Sequence, residues 1–231
     1  MELHYTDVVP WGRAFEEYCD MFNLSAAELT LKIVGVGDGP ASFNAQMYQR
    51  GMPIISIDPI YRYSVQELRA RIKATYDDVI AQTRANQDKF VWTRIASIDE
   101  LAKLRLQAME RFCEDFECGK RQGRYVDAAL PNLPFPDRQF DLALSSHFLF
   151  LYSDNRDLAF HIEAIRELLR IAEEVRIFPL VDFNSEPSPF LSPVLDALET
   201  DSIICSVEQV LYHFQKTGNE MLRLRHRPAE K

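Results

Sequence analysis

LKIVGVGDGPASF, residues 31 to 43, is the stretch on which the reading of this chain turns. An apolar strand runs into a glycine-rich turn, and the turn opens into a helix. Gly35, Gly37 and Gly39 stand two apart; lacking Cβ atoms, such residues can turn sharply at positive φ and let a ligand lie against the backbone. The free N–H groups of the following helix then face that ligand. A dinucleotide fingerprint needs its third glycine after a two-residue gap, and counting from Gly35 and Gly37 that place holds Pro40, which weakens an NAD reading. A second strand, Pro53 to Ile57, ends at Asp58, where a carboxylate is placed to accept both hydroxyls of a ribose. Both nucleotide families use such an acid, so Asp58 does not discriminate between them.

The discriminating segment lies farther on, at RYVDAALPNLPFPDRQFDLALSSHFLF, Arg124 to Phe150. A short strand ends in an acidic residue, Asp127. A Leu-Pro-Phe segment follows within Leu133 to Asp137, and a Phe-Asp strand, Phe140 to Ser146, ends in small polar residues. This run resembles the middle of the class I S-adenosylmethionine-dependent methyltransferases, and the glycine turn and Asp58 match that family's first two ligand-binding segments. The resemblance covers most of the chain from about Leu31 onward. It implies an α/β, Rossmann-like fold: a mostly parallel seven-stranded sheet with an antiparallel last strand. It also implies S-adenosylmethionine as cofactor. Gly35, Gly37 and Gly39 would approach its methionine and ribose portions, Asp58 its ribose hydroxyls, and Asp127, with Ala128 beside it, its adenine amino group. Without the flanking match, Asp127 would read instead as a strand-end turn residue.

One departure concerns the methionine end. Two residues before Gly37 the family usually carries an acid that helps to fix the methionine amino group, and here that position is Gly35. Asp38, one residue beyond Gly37, is the candidate substitute. Ser145-Ser146-His147-Phe148 falls where the family places its acceptor, with Ser145 counted among the cofactor contacts. His147 is the candidate catalytic base for a hydroxyl or carboxyl acceptor, because an unperturbed imidazole titrates near neutrality; its bland alternative is a structural histidine. The Asn/Asp-Pro-Pro-aromatic motif of amino-methylating enzymes on nucleobases and glutamine is absent.

With 231 residues the chain is long enough for one α/β domain and short for two. The net charge of −9, from 26 basic and 35 acidic side chains, repels phosphate backbones, so nucleic acid is not expected as a partner. Arg223, Arg225 and Arg227 alternate along the final strand and read as a solvated face. Cys19, Cys113, Cys118 and Cys205 show no metal-ligand spacing, and no apolar run approaches the roughly 20 residues of a membrane span. A cytoplasmic protein without a metal or a membrane partner is the expectation.

The organisation expected is an N-terminal helical lead, 1–30, followed by one domain, 31–231, with a helical insertion at 60–122 after the second strand. In the lead, Trp11, Phe15, Tyr18 and Phe22 are spaced to line one helical face, as core or as a lid on the cleft. Ser25 with Glu28, Ser64 with Glu67 and Ser97 with Glu100 have capping-box spacing. The insertion overhangs the sheet edge where substrate specificity usually resides, or serves as a buttress. Farther on the pattern gives a helix over Asp154 to Ile171, a strand over Glu173 to Phe178, a proline-rich loop over Asn184 to Pro193 and a helix from Val194 to Leu198. Two last strands, Ile203 to Phe214 and Glu220 to His226, flank a turn at Lys216 to Asn219. The function expected is methyl transfer to a small-molecule acceptor. The alternatives are a non-catalytic binder of the same nucleoside, kept open by Gly35, and an NAD-dependent enzyme, which leaves Leu133 to Asp137 unexplained.

Overall fold

The computed structural model describes residues 10–199 and 203–227; the first nine residues of the expected lead lie outside it. Strand β1, Ile33–Val36, is buried along its whole length because strands pair on both its edges and layers cover both its faces. On one side it pairs in parallel with β2, Ile54–Ile57, which pairs with the two-residue β3, Tyr125–Val126. On the other side it pairs with β4, Phe140–Ser146, which pairs with β5, Ala172–Phe178. The last strand, β7, Glu220–His226, runs antiparallel between β5 and β6, Ile203–Gln209. The resulting order, β3-β2-β1-β4-β5-β7-β6, is the mostly parallel sheet with an antiparallel last strand that the resemblance implies. Chain direction across the sheet reverses between β1 and β4, and the crevice at their carboxyl ends is where open α/β sheets take ligands.

Helix α1, Phe15–Met21, and α2, Phe43–Gln49, cover one face through Tyr18, Met21, Phe22, Phe43 and Met47. Helix α2 stops two residues before Gly51, whose φ of +72° suits a left-handed helix end. Trp11 precedes α1 rather than sharing its face, and it packs on Tyr76 of the helix Val65–Ala85. The other face is covered by α5, Leu158–Ile171, and α6, Leu191–Glu199. Helix α5 begins later than the expected Asp154 because Asp157 takes the cap, accepting from the Phe160 N–H at 2.9 Å. No helix among the described residues is long and apolar enough to cross a membrane.

The 60–122 segment is helical, as expected, and divides into α3, Val65–Ala85, and α4, Ile98–Arg121. Helix α4 packs on α2 and feeds β3, so it fills the crossover position between the second and third strands, and α3 is the addition laid against it. The Ser64–Glu67 box closes in both directions, at 2.8 and 3.3 Å. At Ser97 only one arm forms: its hydroxyl accepts from the Glu100 N–H, while the Glu100 carboxylate accepts from the Ala96 N–H. Cys113 is buried and Cys118 exposed, on different faces of α4. Strand β6 ends at Gln209, not Phe214. Residues beyond it leave the sheet because their backbone finds other partners: the Tyr212 N–H donates to Asp20 O, and Phe214 O accepts from the Val91 N–H. The turn near Lys216 is thus the tip of a longer excursion, closed by a Gln215–Gly218 bridge. Arg223 is bonded to Glu174 at 2.8 and 2.9 Å.

Candidate functional site

Gly37 ends β1 with φ +75° and donates its N–H to Ile57 O at 2.9 Å. A Cβ here would stand 3.0 Å from Phe148 across the β1–β4 crevice, so both the backbone angle and the close approach require glycine. Two residues on, the Gly39 N–H donates to Asp58 Oδ2 at 2.8 Å, and the Ile60 N–H donates to Asp58 Oδ1 at 2.9 Å. Each Asp58 oxygen therefore keeps acceptor capacity for a further donor. Burial pushes the Asp58 pKa up to about 6, against the pull of these two N–H groups and with the help of Asp127.

Gly35 is not in the turn. It lies inside β1, opposite Ser56 of β2, and its missing side chain leaves the space that Asp38 fills: a Cβ at position 35 would be 2.0 Å from Asp38 Oδ2. The chain folds back so that the Asp38 carboxylate occupies the volume a side chain at 35 would take. Tyr18 OH donates to Oδ1 at 2.9 Å and Ser56 OH to Oδ2 at 2.6 Å, and Asn44 donates to Ser56 Oγ at 3.1 Å. Burial pushes the Asp38 pKa up to about 7, opposed by the two hydroxyl donors and reinforced by the Asp58 charge.

Gly37, Asp38, Gly39, Asp58, Ser146 and His147 line one cavity, together with Trp11, Arg13, Tyr152 and Phe183. A second chamber adjoins it. Its walls are mostly aromatic and aliphatic: Phe90, Leu101, Phe178, Tyr212 and Phe214 belong to it alone. Trp11, Arg13, Val79, His147, Leu151 and Phe183 border both spaces. His147 stands at this junction with φ +53°, its Nδ1 2.9 Å from Ser146 Oγ and its ring edge-on to Phe178 at 5.3 Å. Burial, then the charges of Arg13 and Arg105, holds its pKa well below the usual imidazole value, so the ring is neutral. Buried His161, bonded to Asp157 O and Leu149 O, ties the loop after His147 to α5.

Of the residues singled out from sequence, Gly37, Asp38, Gly39, Asp58 and His147 converge on this cavity. Gly35 lies behind it. Ser145 is fully buried in β4 with an unbonded hydroxyl, Asp127 is exposed just past β3, and Ala128 is half-buried beside it; none of the three lines either space. Sequence reasoning passed over Ser56, although a hydroxyl inside the apolar run Ile54–Ile57 marks a buried polar contact. It also passed over Arg105, a charge on the apolar stripe of α4 between Leu101 and Ala108. Tyr18 was read as an aromatic face; nothing in spacing shows that its hydroxyl reaches Asp38.

The sheet order and the glycine turn at its switch point place the chain in the class I methyltransferase fold, a statement about architecture. Within it, the chain belongs to one family with the uncharacterized protein MJ0045 of Methanocaldococcus jannaschii, to which it is 35% identical over 224 residues, 96% of this chain and 98% of that one. No protein-family profile matches. Among solved structures, the chain is similar to magnesium protoporphyrin IX methyltransferase of Synechocystis with bound S-adenosylmethionine, at 9% identity and a TM-score of 0.45, covering 85% of this chain and 70% of that one. It is similar also to a putative S-adenosyl-L-methionine-dependent methyltransferase of Methanococcus maripaludis, at 13% identity and a TM-score of 0.45, covering 94% and 84%.

Proposed function

We propose that this protein binds S-adenosylmethionine in the glycine-turn cavity and transfers its methyl group to a small-molecule acceptor held in the adjoining chamber. The observation that carries this is the Asp38 carboxylate in the place vacated at Gly35, which answers the one departure that kept a lost site in view. Asp38 faces the ligand's amino group, the Gly37–Gly39 backbone lies along its methionine and ribose, and Asp58 keeps acceptor capacity for the ribose hydroxyls. The adenine end extends out of the cavity past β3, toward Asp127 and the half-buried Ala128 beside it. When bound, S-adenosylmethionine supplies an electrophilic methyl group on a sulfonium.

The chain's own residues then hold and orient. Two chambers meeting at His147 set donor and acceptor facing one another, and near-attack placement is much of what an in-line displacement requires. Where the acceptor carries a proton, neutral His147 accepts it, with Ser146 holding the ring. The test is calorimetric titration of the ligand-free protein with S-adenosylmethionine, S-adenosylhomocysteine and NAD, repeated with Asp58→Ala. Saturable binding of the first two, lost in the variant and absent for NAD, is expected. Binding of NAD alone, or of nothing, would overturn the reading. Binding without turnover across an acceptor screen would favour a non-catalytic binder.

A further inference from the structure

Arg13 carries a charge for which methyl transfer as described has no use. It borders both chambers, donates to Trp11 O at 3.2 Å, and buries its Nε without a partner. Its cationic neighbour Arg105 has a counterion, Glu17, whose acceptor sites are all occupied. Oε2 accepts from Arg105 Nη1 at 2.6 Å and the Ala14 N–H at 2.9 Å; Oε1 accepts from Arg105 Nη2 at 2.7 Å and Tyr212 OH at 3.0 Å. A carboxylate offers about four lone-pair sites, so Glu17 has none left for Arg13. Among the described residues no carboxylate forms an ion pair with Arg13. Asp38 and Asp58, the carboxylates of the first cavity, are bonded to other groups. Two cations share one saturated carboxylate, beside a chamber whose walls are mostly apolar and aromatic, with Thr83, His147 and Gln215 the other polar side chains.

We propose that Arg13 is the anion-binding group of the second chamber, and that the acceptor is an organic acid with an apolar body among Phe90, Phe178, Tyr212 and Phe214 and its carboxylate on the Arg13 guanidinium. A half-buried guanidinium whose Nε is buried and unbonded, and which has no carboxylate bonded to it, is a carboxylate receptor by charge and by its fork of donors. The aromatic walls that belong to the second chamber alone, Phe90, Phe178, Tyr212 and Phe214, are what an apolar body carried by that carboxylate would pack on. The inference rests on the methyl-transfer reading for the word acceptor; the site itself does not. The other source of a carboxylate here is the methionine end of the cofactor, and the experiment separates the two.

The probes are 3-phenylpropionate and its neutral amide, titrated into wild type, Arg13→Gln and Arg13→Lys, each with and without saturating S-adenosylhomocysteine. The acid is expected to bind at least roughly tenfold more tightly than the amide, as one desolvated charge-assisted contact warrants. Arg13→Gln should erase that preference while leaving the amide unchanged, and Arg13→Lys should restore part of it. Equal binding of acid and amide to wild type, or binding of neither, overturns the proposal without recourse to any variant. So does a loss in Arg13→Gln confined to S-adenosylhomocysteine, which would assign Arg13 to the cofactor. An acid preference that persists in a protein unable to bind the nucleoside would leave the anion site standing and overturn the methyl-transfer reading instead.

Discussion

Gly35 is small so that Asp38 can lie beneath it, and the pair has a consequence for pH. The Asp38 pKa of about 7 lies above the ordinary 3.8, so between those values the folded protein holds a proton that the unfolded chain releases. Its contribution to stability is therefore lost as pH rises through that window, with a slope of up to about 1.4 kcal/mol per pH unit. His147, whose pKa is depressed, acts in the opposite sense, which makes the difference between wild type and Asp38→Asn the clean quantity. That difference in unfolding free energy is expected to shrink from pH 5 to pH 8; a flat difference would show that Asp38 is ionised throughout. A cationic amino group binding beside Asp38 near pH 6.5 should expel its proton, visible as a dependence of binding heat on buffer ionisation. How much of this was legible in sequence is instructive. The glycine spacing and Asp58 were readable because a strand, a tight turn and a strand-end acid are local patterns. That Asp38 turns back under its own strand was not, because Tyr18 and Ser56, which hold it there, are 20 and 18 residues away.

Helices show the same division. The capping spacing at Ser64 and the apolar stripes of α3 and α4 were enough to place both helices in 60–122. Their assignment to crossover and addition was not, since it depends on which of them packs on α2. Nor did spacing reveal the tie between elements far apart in sequence: Glu17 of α1, Arg105 of α4 and Tyr212 beyond β6 meet in one buried cluster behind the chambers. Removing one partner of such a pair leaves a buried charge uncompensated, so Arg105→Met should cost about 3–5 kcal/mol in urea unfolding. Combining it with Glu17→Gln should return much of that loss. A double variant as unstable as the sum of the singles would mean that the two side chains matter through packing and not through each other.

At the scale of the whole molecule, one mostly parallel sheet, whose strand order reverses between β1 and β4, brings the glycine turn and the end of β4 to a single crevice, with Trp11 and Arg13 before α1 and Val79 of α3 among its walls. A net charge of −9 sets a long-range field that disfavours polyanions, while Arg13 supplies a local cation at the crevice. A ligand that binds only the folded protein stabilises it by about 2.7 kcal/mol at a hundredfold excess over its dissociation constant. For a chain of this size that amounts to a rise in melting temperature of roughly 5–10 °C with S-adenosylhomocysteine, and none is expected with NAD; a shift with NAD alone would point to the other nucleotide. The central claim is that the carboxylate has moved from position 35 to position 38 while its task stayed in place. The direct measurement is the dissociation constant of S-adenosylmethionine for wild type, Gly35→Asp, Asp38→Gly and the double variant Gly35→Asp/Asp38→Gly. Each single variant should weaken binding by roughly tenfold or more, one by crowding two acids into one space and the other by removing the acid. The double variant should recover most of the loss. Single variants that bind like wild type, or a double variant as weak as the two losses combined, would contradict the claim.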